Sequence, residues 1–526
     1  MSELHLTTCE TLKTEGDRPR LVGDIPTIKI LLYTDHPHFI RPGMDGTDLG
    51  TMIDHLHAHP PTFGRLCIEW LSRNSNDADN KLSPEKLKEY DQIWFFGVHQ
   101  LSGENVTAIP FLCGPESELD EAEVRALGDW MKIDPRKKLR GGGVLVTGDH
   151  ATQRPAGGQP GQNKLCPDKS QHEAVLGLGR ALGRCVPRAG SLRKWEGKPT
   201  KSKKDSYNTQ TPVEGSDPDD SRLEDDAHPL QLLLKRFDSL GNPAVGGFSH
   251  PLFFYKKGKL IQVFPDHNHE GAVIIPDHLD MKVWPKGKFL RPKPRVVAQT
   301  LDHRNGRLLN ILAAYNGDCA RVGRIVADST WHHYLNINLT RFRPPAQEGS
   351  DADQIGQFYG NLAIWLSPRS KRREMAHVML TWLVSHLFIL EELRLERHDC
   401  EESDLDQMLD IGRAAYSILS RVASPCEIHE LLQAIVPDEY SEKFETLNFP
   451  ERGCSLSCLP SKELILGSII DSYQQELIRI NAEGQSSQLD FVATTNSGFK
   501  QGFQEHVNRL REVASHAHNV YNIEST

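Results

Sequence analysis

Gly141-Gly142-Gly143-Val144-Leu145-Val146-Thr147-Gly148-Asp149-His150 is a glycine run, a short apolar strand and then a polar turn. α/β proteins use that succession to end a buried strand and expose a reactive side chain. Four other apolar, mostly β-branched runs end the same way. Ile28–Tyr33 leads into Thr34-Asp35-His36-Pro37-His38, and Ile93–Phe96 leads into Gly97-Val98-His99. Leu260–Phe264 leads into Pro265-Asp266-His267-Asn268-His269-Glu270, and Ile325–Ala327 into Asp328-Ser329-Thr330-Trp331-His332-His333. Open α/β sheets bind ligands in the crevice beyond the carboxyl ends of their parallel strands. On this reading the five Asp/His clusters gather at one edge of one sheet.

Outward from these runs, strands alternate with helical patches, which predicts an α/β domain over residues 25–345. Its sheet is expected to be mostly parallel, with helices on its faces. Asp48–Ser72 carries Met52, His55, Leu56, Phe63, Leu66, Cys67, Trp70 and Leu71 as a helical patch that Pro60-Pro61 interrupts. Glu118–Met131 carries Leu119, Val124, Leu127 and Trp130 at helical spacing, with acids in its first turn. Polar insertions near 152–170 and 198–226 break the pattern, with a short helix over His172–Cys185 between them. The first starts just after His150, as a lid or as a tolerated surface insertion. Residues 1–24 form an N-terminal extension. Residues 346–526 read as a helical C-terminal region, from apolar periodicity in 354–366, 371–397, 405–422, 428–435, 463–482 and 498–517.

The 526 residues carry a net charge of −10, which argues against a nucleic-acid binder with a basic footprint. Mean hydropathy is −0.48, and no run reaches the ~18–20 apolar residues of a membrane span. Met1–Arg20 lacks the apolar core of a signal peptide, so a cytoplasmic chain is expected. The ten cysteines include no CxxC pair, which points to reduced thiols.

Leu32–Tyr33, the Tyr90–Gly97 strand, Leu119–Trp130, the triple-glycine strand and Gly323–His332 together resemble the class I glutamine-amidotransferase-like superfamily. The ThuA-like branch is nearest, because it too has a triple-glycine strand and a late strand ending near histidine. The resemblance covers about residues 25–339. It implies a doubly wound, flavodoxin-like sheet with helices on both faces. It also implies a cysteine nucleophile in the turn after the glycine strand, yet none of Val146–Thr152 is cysteine. Glutamine hydrolysis by that route is therefore not expected.

What remains is a set of Asp and His side chains, the ligand types that zinc, manganese and iron accept. Asp266, His267 and His269, with Asp149 and His333, are the candidate metal ligands. Asp149, His150, Glu270, Asp328 and His332 are the candidate catalytic groups, with Glu270 as base toward a metal-bound water. Asp35, His36, His99 and Arg193 are candidates for substrate contact. The bland alternative is that such residues cap helices and fill turns. His55, His57 and His59 are read as surface or core histidines. Walker, HExxH, GxSxG and strand-borne GxGxxG motifs are absent from the sequence.

Two functions follow. The first is a hydrolase, divalent-metal-assisted, with its site at the carboxyl ends of the strands. The second is a non-catalytic sensor or scaffold, in which the crevice binds a small molecule. Its C-terminal helices would then engage a protein partner or a second copy.

Overall fold

The computed structural model of the chain describes residues 25–34, 48–72, 80–96, 121–147, 193–194, 229–237, 247–265, 272–273, 286–287, 291–302, 307–329, 331–386, 404–437, 461–483, 490, 493–505, 507–508 and 515. An eight-stranded mixed sheet runs through it. In chain order the strands are β1 (Thr27–Thr34), β2 (Arg65–Ser72), β3 (Gln92–Phe96), β4 (Gly143–Thr147), β5 (Leu233–Leu234), β6 (Arg295–Asp302), β7 (Arg307–Tyr315) and β8 (Ile325–Asp328). In space they run β2-β1-β3-β4-β8-β7-β6-β5. The strands from β2 to β8 in that row are parallel to one another. From β8 onward each neighbour is antiparallel.

Alternate residues of the parallel strands feed two cores. Ile28, Ile30, Leu32, Trp94, Phe96, Leu145 and Val326 pack with Met52 and Leu56 of α1 (Gly50–Ala58). Phe358, Leu362 and Trp365 of a later helix join the same cluster. Leu31, Tyr33, Ile93, Phe95, Val144, Val146, Ile325 and Ala327 pack on the other face with Ala126, Leu127 and Trp130 of α2 (Glu121–Trp130). Burial of both faces explains why these strands read as unbroken apolar runs.

The glycines before β4 have a packing role. A Cβ on Gly142 would enter the Trp130 ring, and one on Gly143 would strike the Leu366 carbonyl. The strand is thus gripped between a helix on each face of the sheet.

Besides the four-residue helices Pro84–Leu87 and Asn336–Leu339, the remaining described helices are α3 (Asp351–Leu366), α4 (Arg369–His386), α5 (Asp404–Val422), α6 (Pro425–Ala434) and α7 (Ser461–Glu483), followed by a helix over 493–505. These overlap the stretches of apolar periodicity, while 387–397 and most of 506–517 lie outside the described residues. α3 lies in the same core as β1 and β4, so the chain crosses position 345 without leaving that core. Two carboxylates of α6 tie it to the α/β elements. Glu427 accepts from the backbone N–H groups of Thr62 and Phe63 at 2.9 Å each. Glu430 receives Arg324, just before β8, at 2.5 Å and Arg372 of α4 at 2.7 Å. Asp318 completes the ring by pairing with both arginines.

Three expectations need correcting. Residues 65–72 are not helical: Arg65–Ser72 pairs residue for residue with Thr27–Thr34 as β2. The prolines end α1 early, and the residues after them pair with β1 at the edge of the sheet. The run at 260–264 is not a strand of the sheet. Only Val263–Phe264 is extended, in a two-stranded antiparallel ladder with Leu230–Gln231. Finally, Cys67 is disulfide-bonded, with its partner outside the described residues, whereas Cys319 and Cys426 are free thiols. Among the described residues, no helix is long and apolar enough to cross a membrane.

Candidate functional site

Four of the five apolar runs are β1, β3, β4 and β8, which are neighbours in the parallel part of the sheet. Their ends are aligned: Thr34 pairs with Phe96, Phe95 with Val146, and Thr147 with Asp328. The last described residues of these strands therefore lie side by side at one edge of the sheet. The fifth run arrives by another route. The Phe264 ring meets the His333 ring edge-on, with centroids 4.6 Å apart.

At this edge Asp328, the last residue of β8, is the hub. A one-turn 3₁₀ segment, Trp331–Tyr334, follows it and folds back over the strand end. His333 Nδ1 lies 2.7 Å from Asp328 Oδ1, and both side chains are fully buried. The Tyr334 hydroxyl donates to Asp328 Oδ2 at 2.9 Å. Ser329 Oγ is 3.5 Å from Oδ1. From α3, the Tyr359 hydroxyl donates to the His333 carbonyl at 2.5 Å. Tyr334 packs against Phe96 and Tyr359, with ring centroids at 5.2 and 5.5 Å. Burial, with the Asp328 charge beside them, pushes both phenols well above the ordinary tyrosine range. Both therefore remain protonated donors.

This geometry has a chemical consequence. A carboxylate only accepts hydrogen bonds, so the ring proton of a neutral His333 sits on Nδ1 and its lone pair on Nε2. A histidine held by a carboxylate in this way has its tautomer and ring orientation fixed, which is how metal-ligating and proton-transferring histidines are set up. Asp328 itself has both oxygens occupied by donors of its own chain.

The expected site residues divide clearly. Asp328, His332 and His333 are brought to one turn, with His332 half-buried there. Arg193 lies in a two-residue strand, Arg193–Lys194, paired antiparallel with Ala272–Val273. Asp35, His36, His99, Asp149, His150, Asp266, His267, His269 and Glu270 lie outside the described residues. Among the described residues, no group of three or more His, Cys, Asp or Glu side chains is arranged to hold a metal ion. Of the five expected ligands only His333 is described.

Tyr334 and Tyr359 were not anticipated. Tyr334 directly follows the histidine pair, which is a usable signal. Tyr359 reaches His333 from 26 residues further on, in a helix read as part of another region.

A second polar cluster lies where α1 meets the start of α3. His55 is fully buried, and its Nε2 lies 2.5 Å from the Phe342 carbonyl. Burial, aided by nearby His59, lowers its pKa to about 4. His59 Nε2 is 3.0 Å from Asp353 Oδ1. Asp353 also accepts from the Tyr255 hydroxyl and from Gly349 N–H. Ser350 caps the same helix by accepting from Asp353 N–H, so this cluster is a helix-capping hub. The reading of His55 and His59 as structural fits it.

No family model matches the chain, and neither a curated protein nor a solved structure matches it significantly.

Proposed function

We propose that the chain is a hydrolase whose site lies beyond the carboxyl ends of β1, β3, β4 and β8, built on an amidotransferase-like, ThuA-like sheet without the cysteine nucleophile. The observation that carries this reading is the buried Asp328–His333 pair at the end of a parallel strand, in register with the strand that leads into Asp149 and His150. The flavodoxin-like assignment is supported by the order of the parallel strands, which is second, first, third, fourth, fifth.

In this reading His333 is a metal ligand or proton carrier and Asp328 is its positioning partner. Asp149, Asp266, His267 and His269 are the remaining metal ligands. Glu270, His150 and His332 move protons, and Asp35, His36, His99 and Arg193 contact substrate. A divalent zinc, manganese or iron ion held by these residues would supply Lewis acidity toward a water molecule.

A non-catalytic ligand sensor is the second reading. It is favoured by one observation: the Asp328 and His333 side chains are completely buried, and a proton carrier must reach its substrate. Metal analysis of the purified chain separates the two. Stoichiometric zinc, manganese or iron that is lost in His267→Ala combined with Asp149→Ala supports the hydrolase. A metal-free chain whose ligand binding is unaffected by the double variant rejects both crevice readings.

A further inference from the structure

We propose that Tyr359 of α3 is a positioning residue for His333, so that a helix from the C-terminal part of the chain sets the geometry of the sheet-edge site. The proposal rests on the reading of that edge as functional.

The carbonyl that Tyr359 holds belongs to the peptide between His333 and Tyr334. Those two residues grip Asp328, one on each carboxylate oxygen. The peptide is thus the hinge between both donors, and its orientation decides how each meets the carboxylate. A single 3₁₀ turn holds such a peptide weakly, because its own hydrogen bonds are few and poorly aligned. Within the turn, the Leu335 N–H reaches the His332 carbonyl at 3.2 Å. The bond from Tyr359 is shorter and comes from outside the turn.

Tyr359 is itself held firmly. Its residue is completely buried, and its ring lies beside Tyr334, His55 and Phe358 with centroids 5.5, 5.9 and 5.9 Å away. The first turn of α3 is pinned by Ser350 and by the Asp353 contacts to His59 and Tyr255. Tyr359 therefore acts as a fixed post on a helix, against which the 3₁₀ turn is registered.

The test is histidine-selective ¹⁵N NMR on the full-length chain. A ring N–H donating to a buried carboxylate gives a far-downfield proton signal, assigned to His333 by its absence in Asp328→Asn. Tyr359→Phe keeps the ring and removes the donor. If it folds, as judged by circular dichroism and melting, loss of the His333 signal is expected. A folded Tyr359→Phe with the signal unchanged overturns the proposal. Should that variant not fold, fluorotyrosine labelling in a Tyr334→Phe background asks the same question, since fluorination acidifies the Tyr359 phenol and strengthens its donation. A shifted His333 signal is then expected, and an unshifted one overturns the proposal. The outcomes separate from those of the hydrolase reading: signal loss in a chain that binds no metal keeps the positioning role and removes the metal site. Metal binding with an unchanged signal does the reverse.

Discussion

Asp328 and His333 stand five residues apart in the chain and join Oδ1 to Nδ1 at 2.7 Å. With Tyr334 on the other oxygen, the carboxylate holds the turn that closes the end of β8. Asp328→Asn nearly preserves volume but replaces one acceptor oxygen with a donor. It should cost roughly 1–3 kcal/mol for the buried donor left without its acceptor. Urea melts of the two proteins measure this, and an unchanged midpoint would show the pair to be dispensable.

The ring of Arg324, Arg372, Glu430 and Asp318 should be far more sensitive to losing one member than to losing its charge balance gradually. Arg324, Arg372 and Glu430 are each 2% exposed or less. Glu430→Ala removes one of the two carboxylates that the buried guanidiniums share, at a cost of about 3–5 kcal/mol. Calorimetry should show a large drop in melting temperature, and a drop no larger than that of a surface substitution would argue against the linkage of α6 to the sheet.

His55 should make the fold acid-sensitive. Its pKa falls from the ordinary 6.5 to about 4 on folding, because burial and its neighbour His59 disfavour the charged form. The unfolded chain therefore binds the extra proton between those two values. The stabilisation is fully present above pH 6.5 and is lost as pH falls toward 4, by roughly 3 kcal/mol. Asp353, held low by His59, Tyr255 and Gly349 against the opposing effect of burial, loses its contribution only below its ordinary 3.8. The two windows are distinct. His55→Gln keeps an amide donor for the Phe342 carbonyl and should flatten the stability profile between pH 4 and 6.5. Urea midpoints taken across this range check it, and an undiminished slope in His55→Gln would assign the acid sensitivity elsewhere.

Gly143→Ala tests the packing role of the triple glycine. Its methyl group would meet the Leu366 carbonyl, which cannot move without shifting α3. Overpacking of this kind costs about 1–3 kcal/mol or more. Thermal melting should register it, and a variant as stable as the parent would return the glycines to a purely local role at the turn.

Much of this arrangement was legible in the chain. The parallel strands β1, β3, β4 and β8 stand out because both their faces are buried, which forces continuous apolar sequence. Of the polar clusters that follow them, the one after β8, Asp328 to His333, lies at the sheet edge, and those after β1, β3 and β4 lie outside the described residues. The β2 strand was hidden because Leu66, Cys67, Trp70 and Leu71 also fit a helical stripe, and only pairing with β1 decides between the two. Val263–Phe264 shows the opposite failure, since a short apolar run does not reveal whether it joins the sheet or packs over it. Tyr359 and the Glu430 ring carry no local signature, because their partners lie far away in sequence and only the packing of α3, α4 and α6 brings them together.

The central claim is a metal-assisted site beyond the carboxyl ends of the parallel strands. Anomalous diffraction from a crystal soaked with zinc, manganese or iron, collected at that metal's absorption edge, tests it most directly. The expected result is one strong peak at ligand distance from His333 Nε2, in the crevice beyond β4 and β8. A peak elsewhere, or none at saturating metal, would contradict it.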